Sequence, residues 1–331
     1  MQMVLVTGGN GFVGGWCVVG LLKQGYAVRT TVRSPAKAAA VRAAAAKGGA
    51  DPANLSFAIA DLMEDEGWGE AMRGCDHVLH VASPLGVTET KDDDAMIAPA
   101  REGTLRVLHA AVNAGVKRVV MTSAAAAARV PKNQMRVSDE TVWSDPKDPR
   151  FDAYRRSKIM AELAAWDFMK DKQTEFVTVL PGAVFGPVLN KGDLGSVAII
   201  ASMLQGRPSV VPQIALWIVD VRDLADLHIR AMTAPNATNQ RFLATGEMMW
   251  MVDIAKTLRA RLGKNGRKAP RRELSNFAAR ALALFVPQLR LLISELGRRN
   301  EVTSGKARKL LGFAPRPAVD TIVDCANSLM T

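Results

Sequence analysis

Short runs of β-branched and apolar residues alternate with longer amphipathic stretches over the first 180 residues, the pattern of a parallel sheet wrapped by helices on both faces. Met3–Thr7, Ala27–Val32, Ser56–Ala60, Val78–Val81, Arg118–Thr122 and Phe176–Leu180 read as strands. Between them Phe12–Gln24, Ala95–Ala114 and Tyr154–Lys170 have the length and apolar spacing of helices, and Pro99 is expected to delay or kink the second. After Pro181 the alternation weakens and Gly and Pro recur, in Pro181-Gly182, Gly186-Pro187 and Gly206-Arg207-Pro208. Val219–Asp223, a helical Leu224–Met232 and a short strand near Phe242–Ala244 mark a return to the sheet. From about Met248 the chain reads as mainly helical.

Composition narrows the class. The chain has 331 residues, of which 48% are hydrophobic and 23% charged, enough apolar residues for a large core and too many for a disordered chain. Cys17, Cys75 and Cys325 are odd in number and far apart, with neither a disulfide framework nor metal-ligand spacing, so a reducing cytoplasmic setting is expected. No export signal precedes the first strand. The most apolar late stretch, Phe277 to Leu296, is interrupted by Arg280, Pro287, Arg290 and Glu295 and does not read as a membrane span.

The net charge of +11 comes mostly from Arg259–Arg272 and Arg298–Arg308, with little of the aromatic interleaving that stacks bases. It reads as solvated surface rather than a nucleic-acid interface. His77, His80, His109 and His228 lack ligand spacing, so no metal is expected. Asp92-Asp93-Asp94 precedes a helix and reads as N-terminal capping.

Candidate chemistry begins where Met3–Thr7 runs into Gly8-Gly9-Asn10-Gly11-Phe12-Val13-Gly14. Glycines at 8, 11 and 14, between a strand and a helix, let the backbone turn tightly and approach a pyrophosphate, which the helix N-terminus then stabilises. Thr7, Gly8, Gly11, Phe12, Val13 and Gly14 are therefore candidate dinucleotide contacts. The second strand ends in Arg33, with Lys37 close behind, where many NAD sites place a carboxylate for the ribose. A guanidinium there suits a 2′-phosphate, so NADPH is expected over NADH.

Tyr154 and Lys158 stand four residues apart and share one helical face. A phenol ionises near pH 10 unless positive charge stabilises its anion, and Lys158 supplies such charge.

The Gly-x-x-Gly-x-x-Gly spacing, Val81-Ala82-Ser83-Pro84, Val119–Ser123, Tyr154–Lys158, Pro181–Pro187 and Val219–His228 together resemble the extended short-chain dehydrogenases/reductases. Within them the chain is similar to the dihydroflavonol-reductase-like and carbonyl-reductase-like branch, nearly end to end. The resemblance implies a Rossmann-like, doubly wound sheet in an NADP-binding domain of residues 1–182, with 219–245 returning to it. Residues 183–218 and 246–331 would form a smaller, mainly helical substrate domain. It further implies cofactor contacts at Asp61, Leu62, Val81, Ala82, Ser83, Thr122, Tyr154, Lys158, Pro181, Gly182 and Val184. Pro84, Leu85, Trp217 and Ile218 would line the substrate.

The implied reaction is hydride transfer between NADPH and a ketone or aldehyde, with Tyr154 as proton donor. One departure stands out: the family commonly reads Thr-Ser-Ser after the fifth strand and bonds the last serine to the substrate carbonyl, whereas this chain reads Thr122-Ser123-Ala124. Ser123 is the first choice of replacement, with Thr122, or Tyr154 and a water, as the others. Two alternatives share these motifs: an NAD-retaining nucleotide-sugar epimerase or dehydratase, and a non-catalytic dinucleotide sensor. The expected partner is a small carbonyl or alcohol, with a homodimer compatible and no nucleic acid.

Overall fold

The computed structural model describes residues 1–83, 94–131, 134, 136–190, 195–285 and 293–330. Its first half alternates β1 (Met3–Thr7), α1 (Phe12–Lys23), β2 (Ala27–Val32), α2 (Ala36–Lys47), β3 (Leu55–Ile59), α3 (Trp68–Met72), β4 (His77–His80), α4 (Asp94–Asn113), β5 (Arg118–Thr122), α5 (Ala153–Met169) and β6 (Glu175–Pro181). It continues through β7 (Ala183–Phe185), α6 (Val197–Leu204), β8 (Val210–Pro212), β9 (Ala215–Asp220), α7 (Val221–Thr233), β10 (Gln240–Ala244), β11 (Met248–Trp250), α8 (Met251–Arg261), β12 (Arg272–Leu274), α9 (Asn276–Leu282), α10 (Gly305–Leu311) and α11 (Ala318–Met330).

Seven strands form one parallel sheet in the order β10-β6-β5-β4-β1-β2-β3. Strands read as unbroken apolar runs because both faces are covered. Along β1, Val4 and Val6 enter a core shared with Cys17 and Leu21 of α1 and Leu224 and Leu227 of α7. Leu5, between them, faces the opposite core, with Leu108 and Ala111 of α4 and Ala161 and Ala165 of α5. The period-two geometry of a strand thus feeds two helix layers from one segment. Chain direction across the sheet reverses between β1 and β4, the crevice where open α/β sheets hold ligands.

The second half adds a smaller lobe. Strands β7, β9 and β11 form a three-stranded sheet and β8 pairs β12; α6, α8 and α11 pack a third core around Phe185, Ile200, Ile218, Ile254 and Ile322. The three-residue strands β7, β8, β11 and β12 escape a sequence reading, since pairing with distant segments, not alternation, creates them. Helix α2 was also invisible to apolar spacing; it is built on alanine, the strongest helix former, and buries only Val41, Ala44 and Ala45. Pro99 does not delay α4, which starts at Asp94 and carries the proline within it. Helix α7 starts at Val221, three residues before the helix read from Leu224, because the Asp220 carboxylate caps it by accepting from Arg222 N at 2.9 Å. Among the described residues no helix is long and apolar enough to cross a membrane.

Candidate active site

Loops at the C-terminal ends of β1, β4, β5 and β6 meet beside the sheet reversal. The turn after β1 is held by its own backbone, Gly11 N donating to Gly8 O at 2.9 Å. Gly8 has φ +71°, and a Cβ on Gly14 would sit 2.2 Å from Gly8 O, so side chains are excluded from the floor of the loop. Helix α1 begins at Phe12 with no side-chain cap and no acid in its first turn. Its N-terminal amides are therefore suited to an external anion such as a pyrophosphate. Thr30, which sequence reasoning passed over, ties this loop to β2: its hydroxyl accepts from Gly9 N at 3.0 Å and donates to Val6 O at 2.7 Å.

Thr7, at the end of β1, is fully buried and organises the neighbouring strand end. Its hydroxyl oxygen accepts from Val81 N at 3.1 Å and Ala82 N at 3.0 Å, fixing the segment from Val81 to Ser83 against the glycine loop. With both lone pairs engaged, its proton goes to His80 Nδ1 at 2.9 Å, so His80 carries its own proton on Nε2. Burial, then the charge of Lys158, holds His80 down to about 3, and the ring is neutral.

Helix α5 is launched by Asp152, whose carboxylate accepts from Arg155 N at 2.8 Å. Tyr154 and Lys158 follow on successive turns. Lys158 is buried, and desolvation lowers its pKa to about 8, opposed by the carboxylate of Glu162 one turn further on.

The two hydroxyls at the end of β5 go to different partners. Thr122 Oγ1 meets His228 Nε2 at 2.8 Å, while His228 Nδ1 donates to Leu224 O at 2.8 Å. The ring nitrogen facing Thr122 is thus the acceptor, and Thr122 gives up its proton to it. Ser123 donates to Glu162 Oε2 at 2.6 Å and is itself buried. Ala124, half-buried, follows in extended backbone.

The remaining sequence-derived residues fall in three places. Arg33 and Lys37 are exposed, one after β2 and the other in the first turn of α2, which holds no acid. Asp61 caps a turn, accepting from Met63 N at 3.1 Å, and Leu62 packs on the second core. Pro181 ends β6; Gly182 donates to Ala244 O at 3.1 Å, and a Cβ there would lie 2.2 Å from Trp217 O. Val184 pairs with Val219 of β9. Trp217 is half-buried with its indole N–H on Asn300 O at 2.7 Å, whereas Ile218 is buried in the third core. Pro84 and Leu85 lie outside the described residues, as do Asp92 and Asp93.

Beyond Thr30, the sequence reading missed Glu162, Arg241 and His228 as supports. Glu162 had a signal, since Tyr154, Lys158 and Glu162 continue one helical face at four-residue steps. Arg241, 79 residues away from Glu162, had none.

Comparison with known proteins agrees with this geometry. The family described as the NAD dependent epimerase/dehydratase family matches residues 4–244. Cinnamoyl-CoA reductase 1 of Petunia hybrida is 36% identical over 262 residues, covering 78% of this chain and 76% of the relative. Dihydroflavonol 4-reductase of Hordeum vulgare is 33% identical over 272 residues, covering 78% and 74%. Among solved structures, yeast methylglyoxal/isovaleraldehyde reductase Gre2 complexed with NADPH superposes with a TM-score of 0.81 at 25% identity, covering 99% of this chain and 98% of that one. The chain belongs to the NAD dependent epimerase/dehydratase family and is an NAD(P)-dependent oxidoreductase of the extended short-chain dehydrogenase/reductase type, acting on C=O and CH–OH groups.

Proposed function

We propose that this protein reduces a ketone or aldehyde of a small, fairly apolar molecule to the alcohol, reversibly, with NADPH preferred over NADH. The observation that carries the reading is Tyr154 and Lys158 on successive turns of α5, with Lys158 buried and its charge felt by His80 at the end of β4. The residues that would hold the cofactor are the loop from Thr7 to Gly14, Asp61, Leu62, the segment Val81–Ser83, Thr122, Lys158, Pro181, Gly182 and Val184, with Arg33 and Lys37 at the 2′-phosphate. A bound nicotinamide supplies hydride to the carbonyl carbon. Tyr154 donates its phenolic proton to the carbonyl oxygen, and the Lys158 ammonium stabilises the phenolate left behind.

Thr122 and Ser123 give their protons to His228 and Glu162, which supports Tyr154 rather than Ser123 as the group that polarises the carbonyl. A missing oxyanion donor costs on the order of 2.7–4 kcal/mol in other enzymes, so slow turnover is expected. Trp217 is proposed to face the substrate from the lobe formed by residues 183–218 and 246–331. The reductase names of the relatives and the NADPH in the yeast structure support the same reaction class.

The test is a spectrophotometric screen of aliphatic and aromatic ketones and aldehydes with NADPH and NADH in parallel. NADPH oxidation is expected with at least one carbonyl, and Tyr154→Phe should abolish it while cofactor affinity stays within about threefold. Undiminished turnover by Tyr154→Phe would overturn the assignment. Purified protein that retains stoichiometric NAD and shows no net oxidation would favour epimerisation instead.

A further inference from the structure

Below the catalytic pair lies a carboxylate with no contact to solvent. Glu162 is 0% exposed, on the face of α5 that carries Tyr154 and Lys158, one turn past the lysine. Four donors converge on it: Ser123 Oγ at 2.6 Å, Thr178 Oγ1 at 2.8 Å, Arg241 Nε at 2.9 Å and Arg241 Nη2 at 3.3 Å. They come from the end of β5, from β6 and from β10, so one carboxylate joins α5 to three consecutive strands of the sheet.

Arg241 is equally committed. Its other N–H groups reach Glu140 O at 2.9 Å, Val142 O at 2.7 Å and Ala127 O at 3.0 Å, and its guanidinium lies 3.6 Å from the centre of the Trp143 ring. A buried ion pair with every donor and acceptor occupied is rigid, because any displacement leaves a charge uncompensated. Packing alone would be served at less desolvation cost by apolar side chains of this volume. The placement of the pair, one turn below a buried ammonium, calls for another role.

We propose that Glu162 is a positioning residue for the reaction: anchored by Ser123, Thr178 and Arg241, it sets the height of α5 above the sheet and keeps Lys158 positively charged in a dry site. This rests on the reading of Tyr154 and Lys158 as the reacting pair. Among the described residues, the charged and titratable groups that act on Lys158 are Glu162 on its own helix and neutral His80 at the end of β4; Arg241 of β10 is paired with Glu162. Ser123, at the position after β5 where a substrate contact was sought, serves in this arrangement as a strut for Glu162.

The proposal is tested on the full chain without cofactor, by acetylation of Lys158 as a function of pH read by peptide mass spectrometry. Glu162→Gln keeps the side-chain volume and removes the charge. The labelling midpoint of Lys158 is expected at about 8 in the native chain and about one pH unit lower in the variant. With a responsive carbonyl and NADPH, the variant should lose about twofold in kcat at pH 7 and approach about tenfold above pH 8, regaining activity as pH is lowered and Lys158 recharges. A purely structural role would lower activity by a similar factor at every pH.

Should Glu162→Gln fail to fold, Glu162→Gln/Arg241→Gln removes both charges and must still lower the midpoint, because the charge acting on Lys158 is that of Glu162. A native midpoint in either folded variant overturns the proposal. Tyr154→Phe, run alongside, reports separately on the underlying reading: turnover retained there overturns the catalytic assignment, and turnover lost there with a native midpoint in Glu162→Gln overturns only the role of Glu162.

Discussion

Lys158 and Tyr154 sit one turn apart on a single helix but in different media: the lysine is 7% exposed and the tyrosine 42%. The tyrosine is partly exposed to solvent, while the lysine ammonium is buried. Burying that charge has a cost for the fold and a use for the chemistry, and both can be measured.

The cost appears as stability. The folded pKa of Lys158, about 8, lies below its unfolded value near 10.4, so the unfolded chain binds more protons between these limits. Stability carries the full penalty below about pH 8 and recovers it as pH rises toward about 10.4. Lys158→Met is expected to stabilise the cofactor-free protein by about 3 kcal/mol near neutral pH, with the gain shrinking above pH 8, and to abolish turnover. Denaturant melts of both proteins across this range check the sign; a variant that melts earlier at neutral pH contradicts it.

Ser123 is expected to matter for stability more than for rate. Ser123→Ala leaves a buried carboxylate oxygen short of a donor and should cost about 1–3 kcal/mol in unfolding free energy, with kcat within about threefold. A loss of kcat of a hundredfold or more would restore Ser123 as the carbonyl donor.

Ala124→Ser replaces a half-buried methyl with a hydroxyl at the position where the family commonly places its donor. A gain of about tenfold in kcat is expected, a fraction of the 2.7–4 kcal/mol range that such donors contribute elsewhere. Steady-state kinetics on the best carbonyl from the screen would show it, and an unchanged kcat would mean that the residue does not face the substrate.

The proposed preference for NADPH is assigned to charge at the end of β2. Arg33→Ala should raise KM for NADPH by about tenfold or more and leave KM for NADH within about threefold, since a charge-assisted contact to phosphate contributes about 1.5–3 kcal/mol. Lys37→Ala should act in the same direction and less strongly. Equal changes for both cofactors would place the 2′-phosphate elsewhere.

Gly14→Ala forces a Cβ to 2.2 Å from Gly8 O, backbone that cannot swing aside. NADPH binding, followed by quenching of intrinsic fluorescence, should be lost. Retained affinity would show that the loop is not the pyrophosphate cradle.

The sequence by itself determined the parallel sheet, the glycine turn, the tyrosine and lysine on one helical face, and a cationic end to β2. These are local properties, set by periodicity of two or 3.6 residues and by the backbone freedom of glycine. Tertiary structure alone decided which partners the side chains chose. Ser123 is bound to Glu162 and Thr122 to His228 because β5 is paired between β4 and β6 and covered by α5 and α7, contacts that span 39 and 106 residues of chain. Arg241 reaches Glu162 only once β10 has closed the sheet. A hydroxyl reads the same in sequence whether it points at a substrate or at a buried carboxylate, and only the packing of distant elements tells which acceptor it meets.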